Sequence, residues 1–151
     1  MRFLILGPLE VRGEAGTVAL GGIKLRGLLA VLLLHANEPV SAERLALALW
    51  GDEATSGASK TVQVHVWRLR KALPDPKLIA TTPAGYCLRV RPDELDAIQF
   101  ERLVHDGSGA LAAGQPERAA AVLRQALALW RGPALGELAS EPFARNEITR
   151  L

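Results

Sequence analysis

The residues with the most chemistry on offer lie in SGASKTVQVHVWRLRKALP, residues 56–74. Lys60, Arg68, Arg70 and Lys71 supply cations there, and no acid occurs between Ala54 and Pro74. At about 100° per residue, Ala58, Val62, Val66, Leu69 and Leu73 fall on one stripe of a helix, which is the face to be buried. Lys60, Val64, Arg68 and Lys71 fall opposite, flanked by Thr61, Gln63 and Trp67. A face of that kind has the groups that read a DNA major groove: arginine bonds guanine in a bidentate manner, glutamine bonds adenine, and an aliphatic group meets a thymine methyl. Charge alone also suits a solvated basic helix. Val64 and Trp67 lie off the buried stripe, so either another element covers them or they touch a partner. For Trp67, packing on a following hairpin or an adjacent subunit ranks above base contact. His65, at the stripe's edge, is either a phosphate donor or a satisfied structural histidine.

Such a helix needs neighbours to hold it. Residues 3–11 are rich in strand formers and residues 18–20 follow a glycine-bounded turn, which predicts a small N-terminal hairpin or meander closed by Gly21 and Gly22. A helix over residues 24–36 is apolar nearly all round and must sit centrally. Ser41 is placed to cap a second helix ending at Trp50 and Gly51. The basic helix stops before Pro74 and Pro76. Residues 78–82 and 86–90, separated by Pro83-Ala84-Gly85, read as a β-hairpin.

Beyond Arg91 the pattern turns helical. Asp96 with Gln99 has the spacing of a capping box, with Phe100, Leu103, Val104 and Leu111 as an inner face weakened by Gly107 and Gly109. Gly114-Gln115-Pro116 opens a second helix lined by Ala119, Ala120, Leu123, Ala126, Leu127 and Trp130. Pro142 opens a third, which Leu151 cuts short. Alanine-lined helix pairs of this length look like tetratricopeptide-type repeats, which need stacked neighbours; the chain is therefore expected to stop before its natural boundary.

Composition sets outer limits. The chain has 151 residues and a net charge of +2, enough for one ordinary domain or two small ones. Cys87 is the only cysteine, which excludes a disulfide scaffold and fits a reducing cytoplasm. The longest apolar run, residues 28–34, falls far short of the roughly 20 residues a membrane helix needs, so no membrane partner is expected. Twelve cations face seven acids up to Arg91, but six face nine acids from Pro92 onward. A basic first part on an acidic second part suggests a polyanion-binding module joined to something else. His35, His65 and His105 are far apart, and neither a zinc spacing, a phosphate loop nor a nucleophile elbow occurs. No enzyme, metal or cofactor is expected.

The order sheet, central helix, short helix, basic helix and hairpin is that of a winged helix, whose third helix enters the major groove. KTVQVHVWRLRKAL followed by TTPAGYCLRV resembles the recognition helix and wing of OmpR-type DNA-binding domains. LGGIKLRGLLAVLLLHANEPVSAERLALALWGDEA and LDAIQFERLVHDGSGALAAGQPERAAAVLRQALALWRGPALGELASEPF are similar to the Streptomyces antibiotic regulatory protein family. The likeness covers essentially the whole chain. It implies an α+β winged helix over residues 1–91, then the start of an all-α, tetratricopeptide-like bacterial transcriptional activation domain over residues 92–151.

The implied function is a cytoplasmic transcriptional activator that binds promoter direct repeats in double-stranded DNA, with a second copy in tandem, and contacts RNA polymerase. By the family's pattern Gln63, Val64 and Arg68 match base-reading positions. Lys60, Thr61, His65, Trp67, Arg70 and Lys71 match positions that hold phosphate, with Trp50, Thr81, Thr82 and Tyr86 as further phosphate candidates. The wheel puts Arg70 near the core edge, so it has to snorkel outward. Trp50 equally suits helix packing, and Tyr86 packing on the third helix. Relatives often carry a basic residue at the wing tip; here Thr81, Thr82, Pro83 and Ala84 stand there. The competing reading is a protein-interaction scaffold, in which winged helix and repeats both bind proteins.

Overall fold

The structure is a computed structural model that describes residues 1–51, 57–141 and 144. The third helix expected at Pro142 lies outside the described residues, as does the side chain of Ala58.

Strands β1 (Arg2–Leu4), β2 (Glu10–Gly13) and β3 (Gly16–Thr17) form an antiparallel sheet in sequence order, with Phe3 opposite Val11. The meander is as expected, but residues 3–11 are not one strand. Gly7 takes φ +144° before Pro8, a turn inside the apolar run. The amides of Ile5 and Leu6 leave the ladder and donate to Asp96 at 2.9 and 3.0 Å.

Helix α1 (Ile23–Leu34) is buried on nearly every side, as its composition requires; Leu28, Leu29, Leu32 and Leu33 are all in the core. It ends two residues earlier than the pattern suggests, because Asn37 swings to φ +67°. That turn lets the Asn37 amide donate to Leu88 O at 2.8 Å while its side-chain oxygen accepts from Val90 N at 2.9 Å. Helix α2 (Ala42–Trp50) begins on Ser41, whose hydroxyl accepts from Arg44 N at 3.1 Å, and stops at Gly51 with φ +56°. Helix α3 (Ala58–Ala72) buries Val62, Val66 and Leu69, with Leu73 following at its end. Each such side chain contributes about 1.5–3 kcal/mol by leaving water, so the stripe holds α3 in one rotation about its axis.

The wing is β4 (Ile79–Thr82) with β5 (Gly85–Leu88), antiparallel, with Thr81 opposite Tyr86. Val40 and Tyr86 exchange backbone bonds at 2.8 and 2.9 Å, which ties the wing to the chain entering α2. Gly85 makes this possible. It sits at φ +137°, and a Cβ there would lie 2.2 Å from Val40 O.

Helices α4 (Asp96–Ala112) and α5 (Pro116–Ala128) run antiparallel, with Gly107 against Leu123 and Phe100 edge-on to Trp130 at 5.5 Å. Three expectations need correction. Asp96 caps nothing: Leu95 is the N-cap residue, and the Asp96 carboxylate turns inward to the β1–β2 connection. Gln99 donates instead to Asp93 O at 3.1 Å. On α4, Ala97, Gly107 and Ala110 are buried and the expected Phe100 and Leu103 are partly buried, while Val104 and Leu111 are exposed, as is Leu127 on α5. Gly107 would place a Cβ 2.7 Å from Leu123, so the close helix approach turns on small residues rather than on leucines.

After α5 the chain returns to the sheet. Arg131 N donates to Leu6 O at 2.7 Å, and Leu135 N to Ile5 O at 2.9 Å. Leu135 and Leu138 enter the same hydrophobic core as Phe3, Leu28 and Leu69.

Candidate nucleic-acid interface

The buried stripe of α3 determines what its other face presents. Lys60, Thr61, Gln63, Val64, Trp67, Arg68 and Lys71 are all exposed there. Lys60, Val64, Arg68 and Lys71 follow one another at spacings of four and three, so they are surface neighbours along a single ridge. Among the described residues of α3 there is no acid, and Arg70 and Lys71 occupy the last turn, where cations oppose the negative end of the helix dipole.

The expected contact residues divide into two groups. Gln63, Val64, Arg68, Lys60, Thr61 and Lys71 stand together on the open face. Trp67 stands there too, 56% exposed and outside the hydrophobic core, and the Lys71 ammonium lies 4.0 Å from its ring centroid. The other expected residues are held by their own protein. His65 is half-buried, its Nδ1 2.8 Å from Thr61 O and its ring edge-on to Trp50 at 5.4 Å. Trp50 is half-buried as well, with the Lys24 ammonium over its ring and bonded to Leu49 O. Tyr86 is buried in the wing, and Thr82 Oγ1 donates to Gly85 O at 2.9 Å.

Arg70 does snorkel, but toward the wing. Its Nε and Nη2 donate to Ile79 O at 3.1 and 2.7 Å, and Nη2 also donates to Thr81 Oγ1 at 2.8 Å. The guanidinium therefore couples α3 to β4, and its positive charge stays at the junction between them. Nothing on a helical wheel shows this, because the acceptors lie nine and eleven residues further along the chain.

The wing tip and the start of α2 flank a cleft lined by Ser41, Glu43, Ser59, Thr81, Thr82 and Gly85. Ser59 is exposed in the first turn of α3 and was not singled out by the sequence; being small and uncharged, it gives no periodicity or charge signal. What the whole arrangement can do is present a cationic, acid-free helix beside a hairpin that supplies hydroxyls.

Comparison with known proteins places this geometry. Residues 18–88 match the family model for "Transcriptional regulatory protein, C terminal", and residues 95–151 match "Bacterial transcriptional activator domain". The chain is 37% identical to the transcriptional regulatory protein EmbR of Mycobacterium tuberculosis, over 94% of this chain and 39% of that protein. It is 36% identical to the regulatory protein AfsR of Streptomyces coelicolor, over the whole chain and 15% of AfsR. With the regulatory protein DnrI of Streptomyces peucetius it shares 31% identity, over the whole chain and 59% of DnrI. The chain thus spans less than two thirds of each of these relatives. A solved structure of Mycobacterium tuberculosis EmbR in complex with a low-affinity phosphopeptide superposes with a TM-score of 0.91 at 35% identity, covering 99% of this chain and 41% of that one. The fold is accordingly α+β and winged-helix-like, and the named relatives are regulators rather than enzymes. With a winged-helix match followed by an activator-domain match along one chain, this protein belongs to the Streptomyces antibiotic regulatory protein family.

Proposed function

We propose that this chain is the DNA-binding and activating part of a transcriptional activator, which reads direct repeats in promoter DNA and recruits RNA polymerase. The observation that carries this reading is the exposed, acid-free face of α3, held in one rotation by Val62, Val66 and Leu69. Gln63, Val64 and Arg68 meet base edges, and Lys60, Thr61 and Lys71 hold phosphates, with Thr81 at the wing. Affinity comes mainly from phosphate neutralisation and specificity from the few side chains at base edges. His65, Trp50, Arg70, Thr82 and Tyr86 serve this face mainly by fixing its position, since their polar atoms or rings are already engaged within the protein.

The division of labour falls at residues 91 and 92. The α4–α5 pair begins a tetratricopeptide-like array for the transcription machinery, and two copies sit head to tail on adjacent repeats. Such a protein works in the cytoplasm, where the DNA is; among the described residues no helix is long and apolar enough to cross a membrane.

The test is retention on promoter DNA and on heparin at two salt concentrations. Strong retention at low salt that falls steeply with added salt supports the reading. Negligible retention at low salt rejects it and favours a protein-binding scaffold.

A further inference from the structure

The chain crosses between the winged helix and the α4–α5 pair at two places, and both crossings are structured. At the first, the Asn37 side-chain oxygen accepts from Val90 N at 2.9 Å, and Leu95 already bridges to Phe3 of β1. Residues 91–94 lie between, with Pro92–Glu94 wound into a 3₁₀ turn. At the second, the chain leaving α5 runs parallel to the β1–β2 connection, bridging at Pro8 and Leu135. Glycines permit the approach from both sides. A Cβ on Gly7 would lie 2.9 Å from the Arg131 Cβ, and one on Gly136 would lie 3.0 Å from the Pro8 Cα. The Arg131 side chain closes over the connection, donating to Pro8 O at 2.7 Å with the Glu10 carboxylate 3.5 Å away. Further along, Glu137 pairs with Arg26 on α1.

We propose that this second crossing is a rigid weld, with Arg131 as its positioning residue, and that it fixes the direction of the α4–α5 pair relative to α3. The weld goes beyond the DNA-binding and activating reading, and rests on it only for what lies at the two ends. Two units joined by a linker move against one another unless a large apolar interface stops them. One crossing leaves an axis to turn about, and a second crossing removes it. Here Leu95, Leu135 and Leu138 also enter the core of Phe3, Ile5 and Leu6, so turning the pair would open that core to water. Arg131 acts where burial and backbone pairing meet: its amide donates to Leu6 O while its side chain spans Gly7 to reach Pro8. Each bound copy then presents its α4–α5 pair at one fixed angle about the duplex.

Spin labels on Arg44→Cys of α2 and Ser108→Cys of α4, both exposed positions, read the distance between the two halves in the full chain; Cys87 is buried and escapes labelling. The parent is expected to give one narrow distance by pulsed electron spin resonance. Arg131→Ala combined with Gly136→Val removes the side-chain bond and sets a branched side chain against Pro8. Both positions lie outside the winged helix, so α3 keeps its place. In this variant the narrow distance is expected to be lost while retention on duplex DNA at low salt stays. A broad distribution in the parent overturns the proposal, as does an unchanged narrow distance in the variant. Loss of DNA retention together with the distance also overturns it, because the seam would then hold the α3 face itself rather than the direction of the pair. A parent with a narrow distance but no retention on DNA sinks the DNA-binding reading and leaves the weld standing, to be decided by the distances alone.

Discussion

The guanidinium of Arg70 sits 2.8 Å from the Thr81 hydroxyl and 2.7 Å from the Ile79 carbonyl, spanning from the helix that faces outward to the first strand of the wing. This side chain thus bridges the two elements that would straddle a phosphate backbone, beside the Val40–Tyr86 pair that ties the wing to the start of α2. Lysine, with a compact ammonium in place of a planar fork, does not reproduce that geometry.

Arg70→Ala is therefore expected to cost about 1–3 kcal/mol of stability, as hydrogen bonds to a charged group do. Arg70→Lys should recover only part of it. Urea unfolding checks both. Equal midpoints for parent and Arg70→Ala would show that the wing is held by other contacts.

Gly85→Ala should be more severe. The new Cβ meets Val40 O at 2.2 Å, and the backbone is at φ +137°, where side chains are rarely tolerated. We expect a loss of about 2–4 kcal/mol, since the backbone strain and the clash act together. Thermal unfolding reads it directly, and a variant as stable as the parent contradicts the assigned wing geometry.

Arg68 and Lys60 should separate by the kind of loss they cause. Arg68→Ala is expected to cost about 1–3 kcal/mol at one base position and to relax preference there. Lys60→Ala should weaken binding to all sequences alike and flatten the salt slope by about one unit. Titrations against specific and random duplexes at several salt concentrations decide it. Undiminished operator binding by Arg68→Ala removes that residue from base reading.

Asp96 makes a prediction about pH. Burial pushes its carboxyl above the ordinary carboxylate range, despite bonds from the Ile5 and Leu6 amides and the nearby charge of Arg131. The folded state therefore holds this proton more tightly than the unfolded chain. The corresponding stability is complete below about pH 3.8 and is lost as pH rises through the elevated folded value. At neutral pH Asp96→Asn should still cost about 1–3 kcal/mol, because the Ile5 and Leu6 amides bond different carboxylate oxygens and the asparagine NH2 would face one of these N–H groups donor to donor. The gap between parent and variant should narrow as pH climbs through that window. Denaturation series at stepped pH check the sign, and a widening gap would show the carboxyl pushed the other way.

Much of the candidate interface was legible because it obeys a period. Val62, Val66, Leu69 and Leu73 alternate with cations at helical spacing, so both faces of α3 follow from the order of residues. The Ser41 cap and the glycine of the wing are local signals of the same kind. The Asp96 cap was misjudged and the wing partners of Arg70 were hidden for a common reason: each finds its partners through the fold rather than along its own helix. Asp96 has capping-box spacing, yet the Ile5 amide that claims it is 91 residues away. On α4, leucine spacing pointed to Leu111, but the close approach at Gly107 turned the helix onto its alanines and left Leu111 outside.

Among the described residues, the backbone hydrogen bonds of the connection after β1 go to residues made late. Ile5 and Leu6 give their amides to Asp96, their carbonyls accept from Leu135 and Arg131, and Pro8 O takes a further bond from the Arg131 side chain at 2.7 Å. On a ribosome adding about 5–20 residues per second, the earliest-made stretch must wait several seconds for the chain that completes it. A nascent chain halted before Arg131 emerges should leave that stretch open to protease and to chaperones.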